Sequence, residues 1–295
     1  MTKVCSIETS PADSRAVIAR PLTAAAEPAV VVRDVSKRFT SRKGEVHALD
    51  NVSLTIDRGE FVSILGPSGC GKSTLLHMIA GLLAASDGAI EVLGRPVHGP
   101  VHELGIVFQQ HLLLSWRTIL NNVMLQIEVR RLDRKSYVQR AEALLARVGL
   151  SEFTDRFPDE LLGGMNQRAA IVRALIHDPG LLLMDEPFGA LDAITRDQMG
   201  LDFHQLSREE GKTVLFITHS ISEAVFLSNR VIVMSPRPGK IAEIVPIELG
   251  GERDQHGKPV EDIEDRGANG TGAAHGRRCS VSTPIFSNRR RMWRV

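Results

Sequence analysis

Residues 161–192 read LLGGMNQRAAIVRALIHDPGLLLMDEPFGALD, and the order of signals in them decides the architecture. A glycine pair, Gly163 and Gly164, opens a helical pattern that runs from Met165 to His177. Pro179 and Gly180 break it, one lacking a backbone donor and the other lacking a side chain to restrain it. The apolar run Leu181–Met184 has the length of a strand buried on both faces, and it ends in two acids, Asp185 and Glu186. A tight turn closes at Asp192, and a further helical stretch runs from Leu191 to about Glu209. Helix, buried strand and helix in succession predict an α/β fold around a mainly parallel sheet covered on both faces.

Upstream, Gly66-Pro67-Ser68-Gly69-Cys70-Gly71-Lys72-Ser73-Thr74 matches the spacing GxxxxGK[ST]. It follows a strand-like run, Phe61–Leu65, and opens a helical one, Lys72–Ala80, which is the context that gives the motif its force. Glycines there let backbone N–H groups turn inward around phosphate, and the helix N-terminus adds partial positive charge. Lys72 is placed to reach the β- and γ-phosphates, and the Ser73 hydroxyl to coordinate Mg²⁺. Cys70 reads as a small residue filling a variable position. With a phosphate loop present, Asp185 becomes the candidate outer ligand of Mg²⁺. Glu186 becomes the candidate general base that polarises the attacking water. The chemistry expected is hydrolysis of a nucleoside triphosphate.

Outward from these motifs, strands are expected at Ala29–Arg33, Val52–Ile56, Ile90–Val92, Gly105–Phe108, Thr213–Thr218 and Val231–Met234, with a turn at Arg58–Glu60. Helices are expected at Asn121–Arg131, Ser136–Val148 and Ile221–Leu227, with Gly149 as a C-cap. The reading is therefore a β/α domain over 29–250 with a helical subdomain inserted at about 110–165. Residues 1–28, rich in Ala, Pro, Ser and Thr, read as a flexible arm, and 251–295 as an irregular, disordered tail.

Net charge is +1 and aromatic residues are 4%, which exclude a global basic field and a base-stacking platform, so no nucleic-acid partner is expected. Three scattered cysteines, Cys5, Cys70 and Cys279, do not make a disulfide framework and fit a reducing compartment. No apolar run approaches the roughly 18–20 residues that span a bilayer, so any membrane role has to come through a partner.

GPSGCGKST, Gln109 after Ile-Val-Phe, GG-x-x-Q-R, LLLMDEP, Gly189-Ala-Leu-Asp192 and His219 after Ile-Thr resemble the ATP-binding cassette (ABC) ATPases, in unbroken order from about Val30 to Ile247. The resemblance implies a RecA-like P-loop core with an antiparallel β subdomain beside the helical one, and ATP with Mg²⁺ as cofactors. It makes Gln109 the glutamine that senses Mg²⁺ and the γ-phosphate and couples to a membrane partner. It makes His219 the switch histidine on the γ-phosphate. Phe39 becomes the aromatic that stacks on adenine, with a core position as its alternative. It implies a homodimer in which two cassettes sandwich two ATP molecules. Gly163 and Gly164 then face the partner's nucleotide, and Asp192 closes a turn across the interface.

One position departs from the pattern. The family's signature begins Leu-Ser-Gly-Gly, whereas this chain has Leu161-Leu162-Gly163-Gly164. Leucine cannot donate to a phosphate, and a weakened but not abolished ATPase is expected; a degenerate or regulatory cassette is the alternative, and a soluble non-transport ABC protein a further one. The segment Gln110–Val123, Pro187–Asp192 and the stretch Met234–Ile241 (MSPRPGKI) are similar to the importer ATPases for nitrate, aliphatic sulfonates and taurine. That implies permease subunits and, indirectly, a substrate-binding protein as partners, with the chain peripheral on the cytoplasmic face of the cell membrane. Trp116 would line the groove for the permease's coupling helix, or else simply pack.

Overall fold

The computed structural model describes residues 27–41, 44–189 and 191–247. Residues 1–26 of the expected arm and the whole of the expected tail, including its Arg-rich end, lie outside them, while Pro28, placed in the arm, opens the first strand. Ten strands and six α-helices follow one another among the described residues.

The central sheet is built largely from short apolar runs. β3 (Phe61–Leu65), β6 (Leu104–Val107), β7 (Leu181–Asp185), β8 (Thr213–Ile217) and β9 (Arg230–Met234) run parallel, and β10 (Ile241–Pro246) closes one edge antiparallel to β9. The order across the sheet is β10-β9-β3-β8-β7-β6. β7 and β8 are buried at every position, as a strand covered on both faces must be.

Their side chains alternate between two cores. Leu181, Leu183, Leu215, Ile217, Val62 and Ile64 join the core that holds helix α1 (Lys72–Ile79). Leu182, Met184, Val214 and Phe216 join the other, filled by α2 (Ile119–Val129), α4 (Gly163–Leu175) and α5 (Ala193–Glu209). There Phe61, Phe188, Phe203 and Phe216 pack ring against ring at 5.5–6.5 Å between centroids.

The α1 side is roofed by a second sheet, β2-β1-β4-β5, all antiparallel. β1 (Pro28–Ser41) and β2 (Gly44–Asp57) are much longer than the Ala29–Arg33 and Val52–Ile56 runs that the apolar pattern marks. Register shifts between Val32 and Arg38 interrupt the alternation, and Asp34 and Asn51 sit at φ of 51°. β4 (Asp87–Val92) and the two-residue β5 (Arg95–Pro96) complete this sheet. Between β6 and α4 the chain is helical: α2, α3 (Arg134–Arg147) and two short 3₁₀ turns, Ser151–Phe153 and Pro158–Glu160. α6 (Ile221–Leu227) lies between β8 and β9.

One half-buried histidine couples this packing to pH. His177, just past α4, faces the Leu104 carbonyl at 3.3 Å, and burial, helped by Arg130, holds its pKa down to about 4. An unfolded histidine titrates near 6.5. Between those values the unfolded chain binds the proton and the folded one does not, so stability is full above about pH 6.5 and falls as pH drops towards 4. After discounting for solvent screening, the loss is on the order of 1–2 kcal/mol. His177→Gln is expected to flatten the fall in Tm between pH 7 and pH 5; an unchanged pH slope would place the acid sensitivity elsewhere.

Candidate functional site

Four parallel strands end at one edge of the sheet, and each delivers one chemical element there. After β3 comes the phosphate loop. Gly69 and Gly71 have φ of +74° and +104°, a region that L side chains rarely adopt. A Cβ on Gly71 would also meet Leu49 Cδ2 at 2.6 Å, so the loop is moulded against β2. Gly71 caps α1, and the helix start points into the loop. Lys72 is 7% exposed, and its ammonium donates to the Gly66 and Pro67 carbonyls at 2.9 and 3.2 Å. The cation is thus held inside the loop by the loop's own backbone. Burial raises the Cys70 pKa, which keeps it a thiol, and its 1% exposure fits the space-filling reading.

After β7 come Asp185 and Glu186. Asp185 is 6% exposed, and burial pushes its pKa up although the Ser73 hydroxyl bonds to it. A buried carboxylate beside a hydroxyl is short of positive charge, and hard oxygen donors of this kind suit Mg²⁺. No cluster of three or more His, Cys, Asp or Glu among the described residues is arranged to hold a metal. Ser73 and Asp185 therefore fit an ion that takes its remaining ligands from phosphate and water.

Glu186 stands at φ +46°, rare for a residue with a side chain. Its N–H donates to the Ile217 carbonyl of β8 at 2.9 Å, and its own carbonyl accepts from Gly189 at 3.1 Å, so the strained backbone is fixed on both sides. Two other predicted residues converge on its carboxylate. Gln109 Nε2, after β6, donates to Oε2 at 3.3 Å, and His219 Nδ1, after β8, lies 3.4 Å from the same oxygen. His219 is the more open of the two ion-pair partners, with a side chain 63% exposed.

Phe39 lies on β1, 40% exposed, with the Lys37 ammonium 5.1 Å from its ring centroid. That exposure does not fit the core position given as its alternative. Leu162 is the N-cap of α4, 78% exposed and making no side-chain cap; Gly163 and Gly164 are the first helical residues. Asp192 caps α5 through the Thr195 N–H at 3.0 Å, and that bond keeps its pKa low. Among the described residues no side-chain hydrogen bond or ion pair joins the α4 start or Asp192 to Glu186, Gln109 or His219. A Cβ on Gly164 would come within 2.9 Å of Leu191 Cδ2, so the two turns pack on each other.

Several residues that the sequence did not single out shape the segment after Gln109. Asn122, fully buried on α2, donates to the carbonyls of Leu114, Arg117 and Thr118 at 2.9–3.0 Å and accepts from Leu114 N–H at 2.7 Å. Arg173 of α4 donates to the carbonyls of His111 and Leu112 at 2.9 and 2.7 Å. The available signal was an asparagine on the apolar face of a helix. Asn122→Ala leaves those buried groups unpaired and is expected to cost about 1–3 kcal/mol. A lowered Tm checks it, and a change under 0.5 kcal/mol would mean that water replaces the side chain.

A phosphate loop after β3, an acid pair at the end of β7 and a polar triad at the same sheet edge define a P-loop nucleoside triphosphatase. The sequence profile of the ABC transporter family matches residues 49–189. A taurine import ATP-binding protein of Rhizobium johnstonii is 52% identical over 69% of this chain and 78% of its own length. An aliphatic sulfonates import ATP-binding protein of Bacillus cereus is 38% identical over 80% of this chain and 93% of its own. Among solved structures, the ATP-binding cassette MJ0796, described as dimeric in a post-hydrolysis state bound to ADP and Pi, superposes with a TM-score of 0.67. It is 32% identical and covers 75% of this chain and 100% of that one. The chain belongs to the ABC transporter family, and it is an ATPase of that family.

Proposed function

We propose that this chain is the motor subunit of an importer for taurine or a related small sulfonate, working as a homodimer beneath a separate permease on the cytoplasmic face of the membrane. The identity to taurine-import ATPases is the observation that carries the cargo class. It also favours transport over a regulatory or a soluble cassette. No helix among the described residues is long and apolar enough to cross a membrane, so the transport path belongs to a partner.

In this reading the nucleotide's phosphates lie on the Gly66–Thr74 backbone, Lys72 leaves its loop carbonyls for the phosphate oxygens, and Phe39 stacks on the adenine. Ser73 and Asp185 would hold Mg²⁺, which would supply charge neutralisation on the phosphates. Glu186 takes the proton of the attacking water, Gln109 orients that water, and His219 contacts the terminal phosphate. Gly163 and Gly164 present helix N–H groups to the nucleotide bound by the second copy, and Asp192 lies at the same interface. The segment 110–118, with Trp116 73% exposed, faces the permease.

The test is uptake of radiolabelled taurine, alkanesulfonates and nitrate by cells in which this gene alone is deleted or restored. Loss of sulfonate uptake on deletion is expected. Loss confined to nitrate or to a cationic solute would overturn the cargo class and leave the ATPase untouched.

A further inference from the structure

We propose that Arg196 and Glu223 are positioning residues that tie the turn ending at Asp192 to the loop carrying His219, a role that rests on reading His219 as the γ-phosphate contact. Arg196, in the first turn of α5, sends one guanidinium nitrogen back to the Leu191 carbonyl at 2.9 Å. Its Nε is buried without a hydrogen-bond partner and faces Glu223 Oε1 at 3.7 Å. Glu223, in the first turn of α6 with a side chain 15% exposed, accepts the Thr218 hydroxyl on its other oxygen at 2.5 Å. That hydroxyl accepts from Ser220 N–H at 3.0 Å, and Ser220 Oγ accepts from Glu223 N–H at 3.3 Å. His219 therefore sits between two residues, Thr218 and Ser220, that a closed ring of bonds ties to Glu223, and Glu223 is the outlet of that ring towards α5.

The chain of contacts is continuous from Leu191 through Arg196, Glu223 and Thr218 to the backbone of His219. At its far end, Leu191 fills the space left by the missing side chain of Gly164, which brings in the start of α4. The link between Arg196 and Glu223 is the loose one: it is an ion pair but too long for a hydrogen bond, and the buried Nε has nowhere else to donate. Shortening it to the ordinary ~2.9 Å draws the turn and the loop together. A surface pressing on the Asp192 turn thereby moves His219. This is how closure of a second copy on one subunit reaches the same subunit's catalytic histidine.

The experiment uses the full-length chain with Arg196→Gln, Glu223→Gln and both together. Glu223→Gln keeps an oxygen to accept from Thr218 and removes only the charge facing Arg196. Expected are a roughly tenfold drop in kcat for each single variant, KM for MgATP unchanged within about twofold, and no further drop in the double variant, because the two act as a unit. The imidazole resonances of His219, followed by NMR, should shift in Arg196→Gln. Unmoved resonances, or losses that multiply in the double variant, would overturn the coupling, as would a kcat loss that only tracks a lowered Tm. A parent chain without MgATP turnover would instead refute the reading of the site, and the His219 resonances would still decide the coupling.

Discussion

Glu186→Gln is expected to lower MgATP turnover by on the order of 10²–10⁴-fold, the usual contribution of a positioned general base, while the nucleotide still binds. Glutamine has the same shape and keeps an oxygen for Gln109, so the side chain stays in place and only the proton acceptor is lost. The backbone argues for the same role. A left-handed residue with a side chain costs roughly 1–3 kcal/mol, and here two main-chain hydrogen bonds, to Ile217 and from Gly189, hold it there. That strain aims the carboxylate at the edge where Gln109 and His219 also end. Single-turnover hydrolysis set beside equilibrium binding of a fluorescent ATP analogue separates the two effects. A variant within tenfold of the parent would move the base to another group.

Leu162→Ser is the rarer kind of prediction, a substitution expected to raise activity. The leucine side chain at the N-cap of α4 accepts from none of the orphan N–H groups of that helix. Serine there typically adds about 0.5–2 kcal/mol of helix stability. In the proposed closed dimer the new hydroxyl is also expected to meet the terminal phosphate of the partner's nucleotide. A hydrogen bond to a charged group is worth about 1.5–3 kcal/mol, which is about 10- to 100-fold if it is realised in the transition state. Cap and phosphate donor use the same oxygen, so the gain in Tm belongs to the free chain and the gain in turnover to the dimer. Turnover that stays flat while Tm rises would show that Gly163 and Gly164 already saturate the phosphate.

The parts legible in the sequence are those written in short runs. The phosphate loop is nine consecutive residues, and the strand ending at Asp185 announces itself by apolar residues alone. Gln109 and His219 each follow such a strand, and their convergence on Glu186 is a consequence of β6, β7 and β8 lying side by side. The full length of β1 and β2 was not legible, because the register shifts after Val32 destroy the period of two. β10 was missed because an edge strand with most of its side chains partly or wholly exposed has no apolar pattern to read. Arg196 and Glu223 stood in different helices and looked like ordinary surface charges until folding placed them together. The start of α4 at Gly163 rather than Met165 follows from Leu162 taking the cap position, which a glycine pair obscures.

The segment after Gln109 is gripped by Asn122 and Arg173 entirely through main-chain atoms: the Leu114 N–H and the carbonyls of His111, Leu112, Leu114, Arg117 and Thr118. A grip on the backbone is indifferent to the identity of the side chains it displays. His111, Leu112, Ser115 and Trp116 are thus free to be exchanged while the curve of the segment stays the same. If this segment is the permease contact, as proposed, the engine and its coupling can diverge separately: one hydrolytic block can be fitted to many different permeases by rewriting a few side chains, with no retuning of the chemistry behind them.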